Sequence, residues 1–355
     1  MYLDAEITGE SFDSIYNEIE INFNEQHYET VIKLCDVVLD KILPSMEMTE
    51  KELNEKLLSI FYYKAESLVY IDEIEDSIEY YAKAIELAEI LKDEESEIEL
   101  TFTYLEVVIQ NQLDREVHSY FQRISDLHNL RKDNTILTQW YALKAGYAFN
   151  CDQFEETIRF CQLYTRFRSS VDESIYDLEV ATLHIRSQNA LGNISEAINL
   201  SEQALKEFEL LLRTEKYCEL LINHGLLQYN NHQADKAIGT LQQAYQISDE
   251  ESYALCALNA LYTVGFIYFS NEQFEDSLQI GSIFLARKDA DLITELLAEV
   301  IVFVGVSLMK LEKYSECTTF IDHHLSNQES SYYFSVVDKL TMIQQMISNQ
   351  TRLLD

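Results

Sequence analysis

The chain has 355 residues, 47% of them hydrophobic, and a formal net charge of −36 from 26 basic and 62 acidic side chains. That hydrophobic share supports a continuous core and excludes a disordered chain. The acidic excess opposes binding to nucleic-acid phosphates and to anionic membrane surfaces, because both rest on Lys and Arg.

In chain order, residues 1–10 read as a short lead-in. Their acidic sequence, MYLDAEITGE, lacks the basic and apolar regions of a signal peptide. An amphipathic helical hairpin follows at about 11–43 and stops at Pro44, since Pro cannot continue a helix interior. Thr49, three residues ahead of Glu52, reads as a capping box that opens a second hairpin at about 53–92. Within it, Phe61, Leu68, Ile74, Ile78, Tyr81 and Ile85 supply large apolar positions. Ala65, Ser77 and Ala84 are small where two helices must come close.

The acidic run 93–97 reads as a solvated connector; it lacks the alternating acids and Gly of an EF-hand loop. A third hairpin, about 98–130, is the most degenerate, with its core on Leu105, Val108, Val117, Phe121 and Ile124. The basic pair Arg131 and Lys132 follows. Further hairpins fall at about 136–170, 175–212, 217–248, 252–288 and 292–326. Residues 331–350 form a single amphipathic helix with Val336, Val337, Leu340, Ile343, Met346 and Ile347 as its apolar stripe, as expected of the cap on a repeat stack.

The hairpins share a period. The residue that opens each second helix recurs as Tyr28, Ile74, Asp114, Phe154, Ile194, Ala234, Phe274 and Tyr314, in steps of 40 residues from Ile74 onward. Gly225, Gly265 and Gly305 lie in one register, with Ala65 and Ala145 matching and Ile185 breaking it. Gly costs about 1 kcal/mol in a helix interior relative to Ala, so this register predicts a close approach by a neighbouring helix. The second helices carry their own small position at Ser77, Thr157, Ala197, Ala237, Ser277 and Cys317, and another at Ala84, Ala204 and Ala244.

On these residues the chain resembles the tetratricopeptide repeat (TPR) family, with the unit lengthened from the usual 34 residues to 40. The expected fold is all-α: a right-handed TPR superhelical solenoid of about eight hairpins with a capping helix, forming one domain over 1–355.

No apolar run reaches the roughly 18 residues needed to cross a membrane. Cys35, Cys151, Cys161, Cys218, Cys256 and Cys317 form no C-x-x-C pair and read as small core residues in a reducing, cytoplasmic setting. His184 and His224 share a register one repeat apart, but no carboxylate or thiol completes a tetrahedral metal site, so they read as core histidines. His323 and His324 are adjacent and point in different directions on a helix. No nucleophile elbow, HExxH, P-loop or dinucleotide fingerprint is present. Neither catalysis nor a cofactor nor a metal is expected.

The TPR resemblance implies that the first helix of each unit lines a concave face. The register carries it to Gln139, Ala142, Gly146, Phe149 and Asn150, and to Glu179, Thr182, Arg186, Asn189 and Ala190. It continues at Glu219, Ile222, Leu226, Tyr229 and Asn230, and at Asn259, Tyr262, Phe266, Phe269 and Ser270. This mixture of aromatics and amides suits an extended peptide: Asn offers a donor and an acceptor to a backbone, and the aromatics hold apolar side chains. The expected peptide-binding residues are Phe149, Asn150, Glu179, Arg186, Asn189, Glu219, Tyr229, Asn230, Asn259, Tyr262, Phe266 and Phe269. The two Glu would favour a basic group on the ligand, and Arg186 an acidic one.

The 40-residue units and this face resemble the cytoplasmic peptide-pheromone receptors of Gram-positive bacteria, the RRNPP group with its Rap and PlcR types. That resemblance implies a quorum-sensing regulator in which a short peptide controls a protein partner or a DNA-binding helix-turn-helix domain, and it is compatible with a homodimer. No N-terminal helix-turn-helix is found in this sequence, so either that domain lies outside it or the output is protein–protein. The alternative is a constitutive scaffold or adaptor. A carboxylate-clamp adaptor would need several Lys and Arg on the face, where Arg186 stands alone.

Overall fold

The computed structural model describes residues 12–113, 117–126, 134–168, 175–211, 214–326 and 333–351. The lead-in 1–10, Asp114 and the pair Arg131 and Lys132 lie outside them. Every regular element among the described residues is helical. The chain divides into two compact units, 1–169 and 170–355.

In the first unit, α1 (Phe12–Asn24) pairs with α2 (Tyr28–Val37). A π-helical stretch (38–42) and a 3-10 turn carrying Pro44 end that hairpin. Then α3 (Glu50–Tyr70) pairs with α4 (Ile74–Leu91), α5 (Glu94–Gln110) with α6 (Val117–Asp126), and α7 (Asn134–Asn150) with α8 (Phe154–Phe167). The expected capping box forms: the Glu52 N–H donates to Thr49 Oγ1 at 3.3 Å, and the Thr49 N–H donates to Glu52 Oε2 at 2.8 Å. One buried cluster spans α1–α3 around Ile15, Ile19, Val31 and Ile60. A larger one spans α3–α6, with Leu105, Val108, Val117, Phe121 and Ile124 inside it as expected of the degenerate third hairpin.

The run 93–97 is not a connector. Asp93 caps α5 by accepting from the Ser96 N–H at 3.2 Å, and the acids after it form the first helical turn, where the helix dipole favours them. Glu97 is buried because Arg123 Nε donates to it at 2.5 Å.

In the second unit, α9 (Ile175–Ala190) pairs with α10 (Ile194–Glu207), and α11 (Glu215–Asn230) with α12 (Ala234–Glu250). Next, α13 (Ala254–Ser270) pairs with α14 (Phe274–Leu285), and α15 (Thr294–Lys310) with α16 (Tyr314–Ser326); α17 (Tyr333–Thr351) closes the stack. Two buried clusters run through it, one centred on α10–α13 and one on α14–α17. Val336, Leu340, Ile343 and Ile347 of α17 are buried as expected, but Met346 is 49% exposed and falls off the stripe.

Seven of the eight second helices begin at the residue the period marks, from Tyr28 to Tyr314. The turn that sets each start has its own period. Asp72, Gln112, Asp152, Gly192, His232, Glu272 and Glu312 all adopt positive φ, as does Gln26 in the first hairpin. At such a turn the following N–H reaches five residues back, as Glu73 does to the Leu68 carbonyl at 2.9 Å, satisfying an otherwise free helix-end acceptor.

The glycine register is partly a close approach. A Cβ on Gly225 would lie 2.7 Å from Leu241 Cγ, and one on Gly265 would lie 2.8 Å from Phe303 Cζ. At Gly305 the nearest atom would be 3.5 Å away, an ordinary contact, so the expected squeeze is absent there. The tightest glycine is Gly281 on α14, where a Cβ would meet Val304 Cγ2 at 2.3 Å.

Candidate functional site

The first helices of the second unit pack side by side, α9 on α11, α11 on α13 and α13 on α15. One exposed register recurs along them, while the α11 member one turn earlier, Ile222, is buried in the core. Leu226 and Phe266 occupy one register on α11 and α13 and are 38% and 41% exposed; Val306 holds that register on α15, half-buried. One turn earlier stand Tyr262 and Val302, and earlier still Asn259 and Glu299. Leu255, 48% exposed, opens the row on α13. Tyr262 and Phe266 stack, with ring centroids 6.1 Å apart and planes at 27°. The result is a row of apolar and aromatic side chains on three successive helices, of which Leu226, Leu255 and Phe266 are exposed and Tyr262, Val302 and Val306 are half-buried against the α14–α17 core. Exposed apolar groups gathered in this way mark a binding surface more often than chance placement does.

Acids edge the row at the helix N-terminal ends: Glu215 and Glu219 on α11, Glu295 and Glu299 on α15. Burial pushes the Tyr262 phenol upward, with Glu299 adding to the shift. Lys339 Nζ lies 3.1 Å from Glu299.

The expected site residues divide by what they touch. Phe266, Tyr262 and Asn259 belong to the row, although Asn259 Nδ2 donates to its own helix at Leu255 O, 2.9 Å away. Arg186 is exposed in the register of Leu226 and Phe266; Asn230 is exposed one turn beyond Leu226, and Asn189, in the register of Tyr229 and Phe269, is half-exposed. Glu179 and Glu219 do not await a basic ligand. Lys216 lies between them, 3.6 Å from Glu179 and 3.4 Å from Glu219, so the cation they were expected to seek is already present. Tyr229 packs on the α10–α13 core, and Phe269 packs edge-to-face on Phe274 at 6.0 Å.

In the first unit, Phe149 makes the same hairpin contact with Phe154, at 5.8 Å. Asn150 Nδ2 donates to Ile109 O at 2.7 Å, tying the end of α7 to the end of α5. Both residues stabilise hairpins. The first helices here carry no apolar row; Glu66, Glu99 and Glu106 occupy its registers, with Tyr62 and Tyr70. Burial raises the Glu66 carboxyl, opposed by the Tyr81 hydroxyl that donates to it at 2.6 Å.

Sequence reasoning missed Leu255, Val302, Val306 and Lys216. The 40-residue period points to Val302 and Val306 directly, one repeat beyond Tyr262 and Phe266.

His184 is half-buried, and His224 is a core element. His224 is buried in a chain of bonds: Thr240 Oγ1 to Gln228 Oε1 (2.9 Å), Gln228 Nε2 to His224 Nε2 (2.8 Å), His224 Nδ1 with Ser201 Oγ (2.7 Å), and Ser201 Oγ to Ile198 O (2.8 Å). Each donor meets an acceptor only if His224 is neutral with its proton on Nδ1, and burial pushes its pKa down accordingly. No group of three His, Cys, Asp or Glu side chains able to hold a metal occurs among the described residues. No helix among them is long and apolar enough to cross a membrane.

The sequence matches no family model and no curated protein. Solved structures share its fold. A STAND-class signal-transduction ATPase with a tetratricopeptide repeat sensor, from Pyrococcus horikoshii, aligns over 94% of this chain with a TM-score of 0.61 and 13% identity. This chain spans about half of that protein, 52%. The apo form of RapI aligns over 96% of this chain and 84% of its own length, at TM-score 0.57 and 13% identity. A Rap protein complexed with competence and sporulation factor aligns over 95% and 98%, at TM-score 0.50 and 10% identity. The chain is therefore an all-α TPR-type helical repeat protein whose fold resembles that of Rap proteins.

Proposed function

We propose that this protein is a non-catalytic, peptide-responsive regulator of the quorum-sensing type, and that the row Leu226, Leu255, Asn259, Tyr262 and Phe266 takes an extended peptide. The observation that carries this reading is the exposure of Leu226, Leu255 and Phe266, large apolar side chains on neighbouring first helices. Apolar side chains of the peptide lie against Leu226, Phe266 and the Tyr262 ring. Asn230 and Asn189, on the same face, bond its backbone. The Rap protein complexed with competence and sporulation factor adds support by fold alone. The shared period supports treating 1–355 as one repeat array, and the output is a protein partner rather than nucleic acid, given the charge of −36.

A thermal-shift screen of short apolar peptides tests the reading, because a ligand that binds only the folded state raises apparent stability. A saturable rise in the wild type that Phe266→Ser abolishes supports it. A rise that Phe266→Ser leaves intact moves the site off this face, and a complete absence of response favours a constitutive adaptor.

A further inference from the structure

The repeat period carries the row one helix beyond α15. α17 stands where a ninth first helix would, and it packs on α15 as α15 packs on α13. In that register Met342 follows Tyr262 and Val302, and Met346 follows Leu226, Phe266 and Val306. Lys339 follows Asn259 and Glu299, and its Nζ reaches Glu299 at 3.1 Å, so the two helices meet side by side along this edge.

The helix that caps a repeat stack keeps a polar outer face for solubility. α17 obeys this at Asp338, Lys339 and Gln345, all exposed. Its exposed apolar residues are Met342 and Met346, at 63% and 49%. Both fall in the two registers that build the row. They are not needed to dock the helix, because Val336, Leu340, Ile343 and Ile347 are the side chains buried against the stack. Solubility would select polar residues at these positions as it does at their neighbours. A ligand that runs the length of the row accounts for the two exceptions.

We propose that α17 is the end of the peptide row, and that Met342 and Met346 take an apolar side chain at one terminus of the ligand. This rests on the peptide reading given above. Packed helices lie roughly 8–10 Å apart, so the three steps from α11 to α17 span about 25–30 Å. An extended chain rises about 3.3 Å per residue and covers that span with about eight or nine residues, alternate side chains facing the row. Met is unbranched and polarisable, so the pair moulds itself to a long aliphatic or an aromatic side chain. Glu299 and Lys339 beside it neutralise each other, so this end selects an uncharged residue.

The probe is a nonapeptide library displayed on phage and panned against the full chain; the enriched peptide is synthesised and titrated calorimetrically. Met342→Ser/Met346→Ser, at exposed positions, should weaken binding by about 10-fold or more, as loss of apolar contact does. Gln345→Ser, on the same helix but outside the row registers, should leave it unchanged. Removing three residues from one end of the peptide should erase the effect of the methionine variant and keep that of Phe266→Ser, since only the truncated end contacts α17. Affinity weakened by Phe266→Ser but equal in the methionine variant would overturn the proposal and leave the row standing. A methionine effect that survives truncation from either end would overturn the terminal placement. Light scattering that shows a dimer in wild type and a monomer in the methionine variant would assign the pair to a second copy of the chain instead. No enriched peptide, or one whose binding ignores Phe266→Ser, would overturn the row and this extension together.

Discussion

Ser277 Oγ donates to the Gly265 carbonyl oxygen at 3.2 Å, joining the two helices of one hairpin through their small positions. The relationship repeats along the chain, from Ser77 to Ala65 at 2.9 Å and from Cys317 Sγ to Gly305 at 3.2 Å. A short side chain on the second helix thus fills the space that the small residue on the first leaves open, and its donor is satisfied without water. Phe303, from α15 of the next hairpin, also packs against Gly265.

Gly265 and Gly305 therefore respond oppositely to alanine. In Gly265→Ala the new methyl meets Phe303 at 2.8 Å, and the overpacking should cost about 1–3 kcal/mol. In Gly305→Ala the methyl enters an ordinary contact of 3.5 Å, and the helix gains up to about 1 kcal/mol of propensity. Chemical denaturation of both variants checks this; a loss of equal size in both would show that the register has one cause throughout.

The His224 chain makes stability depend on acid. Burial lowers its folded pKa below the unfolded value of about 6.5, so the unfolded state takes up the proton first. The stabilising contribution is complete above that unfolded value and is lost as pH falls through it toward the folded one. His184 and His324 shift in the same direction, so the wild-type slope sums several groups. His224→Phe isolates one of them: it should be less stable than wild type near pH 8, with the gap narrowing on acidification. Melting curves across that range, with a gap independent of pH, would contradict the assignment.

Thiol reactivity should follow burial. Cys35, Cys161, Cys218, Cys256 and Cys317 are buried and Cys151 is exposed. Burial pushes the Cys35, Cys161 and Cys256 thiols up to about 12 and Cys317 to about 11. Since the thiolate is the nucleophile, a thiol reagent should modify Cys151 alone in the folded protein and the other five only after unfolding. Mass spectrometry of the labelled peptides reads this directly.

The repeat was legible because one apolar pattern and one small position recur every 40 residues, and the helix starts followed from it. The turns were not. Their positive-φ position is held by Asp, Gln, His and Glu as well as by Gly192, so no residue type flags it. The run 93–97 misled because acids suit both solvent and a helix N-terminus, and only Arg123, from the next helix, reveals that Glu97 is buried. On the candidate face, register alone placed Tyr262 and Phe266. It could not show that Asn150 already bonds Ile109, or that Lys216, an i,i+3 neighbour of Glu219, also reaches Glu179, because those contacts cross between repeats.

The measurement that bears most directly on the central claim is calorimetric titration of one peptide of about 5–10 residues, taken from the thermal-shift screen, into wild type, Asn230→Ala, Leu226→Ser and Phe266→Ser. Each side chain is solvent-facing, so the melting temperatures of the free variants should stay close to wild type. Affinity should fall about 5- to 150-fold in each, through an unpaired backbone group for Asn230 and lost apolar contact for the other two. Equal affinity in all four proteins would contradict the account and place the peptide elsewhere.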